Sequence, residues 1–168
     1  MHKNFISKLS CFFTLCILCV SLPAYSAGIS HSTLPVTANI VNLCLTVTAT
    51  TMAFGNYTGA QLNATNIITV TCLTLSSTYT VQLNPGLTAG STFAQRLMAN
   101  GAATLKYNIY TNNTYSTVWG NGSSGTGVIT SPNLSLIQNY TAYGRIPANQ
   151  TQAPAGNYQD TITVSVVY

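Results

Sequence analysis

Acidic side chains are almost absent from this chain. Asp160 is the single Asp or Glu in 168 residues, against five Lys and Arg, so only 4% of the sequence is charged. An ordinary soluble domain is about a quarter charged. Glycoside hydrolysis by paired carboxylates needs two acids flanking the scissile bond, and the chain has one. Cations are scarce too. Beyond the first 26 residues they are Arg96, Lys106 and Arg145, too few and too scattered for the basic stripe that grips nucleic acid. The two histidines are His2 and His31, which with one acid leaves no ligand set for zinc. No stretch of about twelve residues carries a 3.6-residue apolar period, so helices are not expected. Low charge here does not mean disorder, because 46% of the residues are apolar and disorder goes with low hydrophobicity.

What is present begins with a targeting pattern. Met1–Lys8 holds Lys3 and Lys8, Leu9–Leu22 is almost wholly apolar or small, and Pro23-Ala24-Tyr25-Ser26-Ala27 follows. A basic start, an apolar stretch and small residues at Ala24 and Ser26 describe a secretory signal peptide over residues 1–26. The apolar run is short of the ~20 residues of a spanning helix. Cys11, Cys16 and Cys19 leave with that segment, and Cys44 and Cys72 remain. An even pair in an oxidising compartment is expected to form a disulfide, worth roughly 3.6 kcal/mol by loop-closure entropy.

The remainder reads as one domain of strands. Period-2 alternation with abundant Thr, Val, Ile and Tyr recurs over Leu43–Ala49, Asn66–Leu75, Thr78–Asn84, Leu105–Tyr110, Ser116–Trp119, Asn139–Ile146 and Asn157–Tyr168. Many short strands separated by turn residues suggest an all-β sandwich. Periodicity alone leaves a barrel open.

The two ends of this pattern carry the functional hint. Ile162, Val164, Val166 and Tyr168 share one face of the last strand, and no further residues follow to cover its edge. At the other end Leu34, Val36, Ala38 and Ile40 alternate, and the apolar phase then flips across Val41-Asn42 to Leu43, Leu45 and Val47. A one-residue phase change moves the buried face, so residues 27–41 are expected to use a different surface from residues 42–168. One strand is spare and one edge is open. Exposed edges are an aggregation hazard, and exchange of the spare strand between copies covers them head to tail. An ordinary first strand or a loose terminus is the other reading of the same residues.

Three motifs point elsewhere and are outweighed. Gly120-Asn121-Gly122-Ser123-Ser124-Gly125 has GxGxxG spacing, but neither a helix nor an acid about 20 residues on follows it. A Ser-His-Asp set exists only as composition, with His31 in the terminal segment. Trp119 and the tyrosines offer a sugar-stacking surface, although such rings in sandwiches more often pack inside with their polar atoms satisfied. Asp160 is expected to pair with a cation or to cap a turn before the last strand.

Several motifs in order resemble one family. They are Ala53-Phe54-Gly55-x-Tyr57, Val70-Thr71-Cys72, Arg96-Leu97-Met98, Leu105-Lys106-Tyr107-Asn108-Ile109-Tyr110 and Val118-Trp119-Gly120-Asn121-Gly122. Tyr143-Gly144-Arg145-Ile146-Pro147, Gln150 and Pro154-Ala155-Gly156-Asn157-Tyr158-Gln159-Asp160-Thr161 complete the set. Together they resemble the spore coat protein U family, whose better-known members are subunits of archaic chaperone–usher pili. Amides at Asn112, Asn113 and Asn121 stand where the family pattern carries acids.

The resemblance implies an incomplete immunoglobulin-like β-sandwich that lacks its last strand and is completed by donor-strand exchange. It implies the Cys44–Cys72 disulfide, Leu34, Val36, Ala38 and Ile40 as the donor strand, and Ile162, Val164, Val166 and Tyr168 as the acceptor edge. It implies no enzyme activity, cofactor, nucleic acid or small-molecule substrate. The partners it implies are a periplasmic chaperone, an outer-membrane usher and neighbouring pilin subunits, on a route through the periplasm to the cell surface. Two alternatives are a secreted spore-coat or matrix protein and a carbohydrate-binding sandwich.

Overall fold

A computed structural model describes residues 34–39, 43–74, 78–131 and 136–168. The signal-peptide reading of residues 1–26 and the donor residue Ile40 lie outside the described residues.

Eight strands form in chain order: β1 (Leu43–Ala49), β2 (Leu62–Thr74), β3 (Thr80–Leu83), β4 (Arg96–Asn100), β5 (Ala103–Tyr110), β6 (Ile129–Thr130), β7 (Ile137–Ile146) and β8 (Val164–Val167). They build a five-stranded sheet in the order β1-β2-β7-β5-β4 and a three-stranded sheet in the order β6-β3-β8. Every strand pairing is antiparallel. The result is an all-β arrangement of immunoglobulin-like sandwich type, with no helix among the described residues.

Alternation decides the faces. On β2 the side chains of Asn66, Ile68, Val70 and Cys72 are buried, and Tyr140, Ala142 and Ile146 of β7 are buried beside them. Val81 and Leu83 of β3 close the core from the other sheet. Val47 stands opposite Val70 and Ala49 opposite Ile68, so these two residues of β1 share the core side of β2. Register shifts on both sides of Cys44 bring it opposite Cys72, and the two form a disulfide across the pair. The irregularity reconciles a strand of odd phase with an even-numbered cysteine.

Two polar groups are folded into this core. Trp119 is fully buried, and its indole N–H donates to the Val81 carbonyl at 2.9 Å. Arg96 is fully buried as well. Its guanidinium donates to the carbonyls of Asn84 (2.8 Å) and Trp119 (2.7 Å) and to Asn108 Oδ1 (2.5 Å). Burying a cation costs several kcal/mol unless its donors are satisfied, and here oxygen acceptors from three parts of the chain satisfy it.

The strand pattern differs from the sequence reading in four places. Ser116–Trp119 forms only isolated bridges, Tyr110 to Val118 and Trp119 to Gly127. Regular pairing at the C-terminal end is confined to Val164–Val167, preceded by a single bridge from Gln159 to Ala99. β4 and β6 were not expected. β4 reads poorly because it is five residues long and opens on Arg96, yet it pairs with β5 through a two-residue turn in which Gly101 takes a φ of 59°.

Candidate functional site

The sandwich is unfinished along one side. β8 pairs with β3 and, among the described residues, with no strand on its other edge. The Asn84 N–H donates to the Thr163 carbonyl and the Leu87 N–H to the Thr161 carbonyl, while Gln159 and Ala99 exchange backbone bonds. Odd residues therefore spend their backbone groups on the β3 and β4 side. Strand parity turns the backbone groups of Ile162, Val164 and Val166 toward the open side. Their side chains are half-buried and packed against the core. Tyr168 lies beyond β8 and is 54% exposed.

Across from that edge runs the segment of residues 50–57, which among the described residues is hydrogen-bonded only at its ends. At one end the Asn66 side-chain amide donates to the Thr50 carbonyl (2.6 Å) and to Thr50 Oγ1 (2.8 Å). At the other, the Tyr57 hydroxyl donates to the Pro147 carbonyl (2.9 Å) and accepts from the Gln150 N–H (3.0 Å). Between these anchors the backbone groups of residues 51–56 have no hydrogen-bond partner among the described residues. Met52 and Phe54 nevertheless turn inward. They pack over Gly144 of β7, where a Cβ would strike Met52 and come within 2.7 Å of Phe54. Phe54 also meets Tyr107 edge to face at 6.2 Å between ring centroids.

Between the two unpaired edges lies a groove of about 970 Å³. One wall is residues 49–57 and the other is residues 153–162 with Val164. Its floor is the core itself: Ile68, Leu83, Met98, Leu105, Ile109 and Ile146 all line it. A groove whose floor is hydrophobic core and whose rims are unpaired backbone fits an extended peptide, because a strand supplies both needs at once. β1 shows the same incompleteness. Val47 is on the core side, opposite the fully buried Val70, yet remains 38% exposed.

The sequence-predicted residues fall in two groups. Ile162 and Val164 line the groove, and Val166 continues their row along β8. Cys44 and Cys72 pin β1, the neighbouring sheet edge, to β2. Leu34, Val36 and Ala38 are exposed and belong to no strand, with Leu34 and Val36 each 85% exposed. Reading the sequence for end strands missed the wall at residues 50–57, whose signal is Met52 and Phe54 two apart just after a strand. It also missed Tyr107, whose hydroxyl meets Asp160 in the groove wall.

The other motifs resolve as structure. The glycine-rich stretch is a chain of tight turns, with Gly122 and Gly125 at positive φ and Asn121 Oδ1 accepting from the Ser123 N–H and hydroxyl. Arg145 places its guanidinium carbon over the Tyr115 ring, 3.5 Å from the ring centroid, and donates to Asn63 Oδ1.

Fold and groove together define a class: a β-sandwich with an apolar-floored groove between two rims that are unpaired among the described residues. The chain belongs to the Spore Coat Protein U domain family, which it matches over residues 30–165. This is a structural, pilus-type domain, and membership is consistent with a pilus or fimbrial subunit exported to the surface. No curated protein matches the chain.

Proposed function

We propose that this protein is a structural subunit of a surface pilus or fimbria, assembled by the chaperone–usher route through donor-strand exchange and serving adhesion or biofilm formation. The observation that carries the reading is the groove between the open edge of β8 and the unpaired segment 51–56, floored by core side chains. The occupant is the segment at residues 27–41 of a neighbouring copy, which offers Leu34, Val36, Ala38 and Ile40 at the two-residue spacing of one strand face. Before assembly a strand of a periplasmic chaperone takes the same place, and an outer-membrane usher is where the exchange occurs. Burying each large apolar side chain of the incoming strand contributes about 1.5–3 kcal/mol. Each backbone hydrogen bond to a rim adds about 0.5–1.5 kcal/mol.

Mature protein and a version lacking residues 27–40 are compared by gel filtration, SDS gels without heating and negative-stain microscopy. The full-length protein is expected to form SDS-resistant ladders or fibres, and the truncated one is expected to form neither. Identical stable monomers from both would refute the proposal.

A further inference from the structure

We propose that Asp160 is the positioning residue of the groove: its carboxylate fastens the wall ahead of β8 in the place where an incoming strand needs it. The inference rests on the donor-strand reading of that groove. It starts from chemistry, since this is the only acid in the sequence and it stands in the groove wall.

The carboxylate ties its own segment to two other parts of the chain. Oδ1 accepts from the Leu87 N–H (3.1 Å), the Thr88 N–H (2.9 Å) and the Thr88 hydroxyl (2.9 Å) of the loop after β3. Oδ2 accepts from the Tyr107 hydroxyl of β5 at 2.6 Å. The fit is close. A Cβ on Gly86 would strike Asp160, and Gly86 sits at a φ of 103°, which side-chain-bearing residues rarely adopt.

The need for such a fastening follows from the topology. Residues 153–162 form a groove wall but no strand, so ladder bonds do not hold them. Among the described residues, their backbone is tied to the other elements only through the Gln159–Ala99 pair and the Leu87–Thr161 bond. Asp160 lies between those two ties. Immediately after it, Ile162 and Val164 present the edge that an incoming strand would use. A charged acceptor holding four donors is stronger than the same bonds made to a neutral group.

The test uses the full-length mature chain with Asp160→Ala, Asp160→Asn and Tyr107→Phe. Two quantities are read: the yield of SDS-resistant oligomers, and amide hydrogen exchange at Leu87, Thr88, Ala99 and Gln159, whose N–H groups bond to Asp160 or form the neighbouring backbone tie. Asp160→Ala is expected to lower oligomer yield on the order of tenfold and to speed exchange at all four amides, with the disulfide intact. Asp160→Asn keeps the Oδ1 acceptor and is expected to restore most of both. Tyr107→Phe removes only the Oδ2 bond and is expected to give a smaller loss. It also keeps the proposal open to refutation if Asp160→Ala does not fold. Wild-type assembly and exchange in both Asp160→Ala and Tyr107→Phe would overturn the positioning role. If the wild type forms no oligomers while exchange still responds to Asp160→Ala, the positioning of the wall stands and the donor-strand reading falls. If neither oligomers nor an exchange response is seen, both fall.

Discussion

The closed and open flanks of this sandwich are written in the same residues and finished differently. Val70 of β2 and Val81 of β3 alternate with polar neighbours and are fully buried. Val164 and Val166 of β8 alternate in the same way and are only half-buried, and Val47 of β1 is 38% exposed on the core side. The difference is neighbours. Among the described residues, β2 and β3 each have a strand on both sides, whereas β1 and β8 each have one. Alternation chooses the face a side chain takes, and the number of flanking strands decides how far water is excluded. A fold can therefore carry a correct apolar pattern that its described strands do not complete.

The comparison breaks most visibly in the closed half. Trp119→Ala removes a fully buried ring and leaves the Val81 carbonyl without its donor. It is expected to cost about 3–5 kcal/mol, seen as loss of cooperative melting in denaturant titration. Reduction of the Cys44–Cys72 bond, which holds an edge strand, is expected to cost roughly 3.6 kcal/mol. A melting midpoint unmoved by reductant would contradict it.

Paired substitutions sharpen the contrast. Val81→Ala, in the closed half, is expected to cost about 2 kcal/mol, and Val164→Ala, at the open edge, less than about 1 kcal/mol. Assembly should respond in the reverse order, with ladder yield falling more for Val164→Ala. Equal stability losses would show that the edge is closed in solution. Gly144→Ala places a methyl group against Met52 and Phe54. Overpacking of this kind is expected to cost about 1–3 kcal/mol and to push the 50–57 wall outward, which denaturation together with hydrogen exchange would detect.

The smallest effect is alkaline. Burial, with help from the hydrogen bond to Asp160, raises the Tyr107 hydroxyl well above the ordinary tyrosine range. The unfolded chain then releases this proton near pH 10 while the folded chain retains it. Stability contributed by Tyr107 is thus full below about pH 10 and declines as pH rises beyond it. Tyr107→Phe is expected to flatten the alkaline limb of a stability-versus-pH curve.

Much of this architecture is legible in the sequence because strands declare themselves by period. The faces of β2 and β3 and the row Ile162, Val164 and Val166 follow from alternation, and the cysteine pair follows from an even count in an exported chain. The groove walls do not. Residues 50–57 and 153–162 are placed by side-chain anchors such as Asn66, Tyr57 and Asp160, which join positions up to 93 residues apart, and no local pattern records such contacts. β4 stayed hidden for a related reason. Arg96 looks like a surface residue, yet it is buried by acceptors that only the fold assembles.

The most direct test of the unfinished edge is amide hydrogen exchange at Ile162, Val164 and Val166, compared between lone subunits and assembled fibres of the same protein. The account predicts fast exchange at these three even-numbered positions in the lone subunit, slow exchange at Ser165, which faces β3, and strong protection of all four after assembly. Protection of Ile162, Val164 and Val166 already present in the lone subunit, or absent from the fibre, would contradict it.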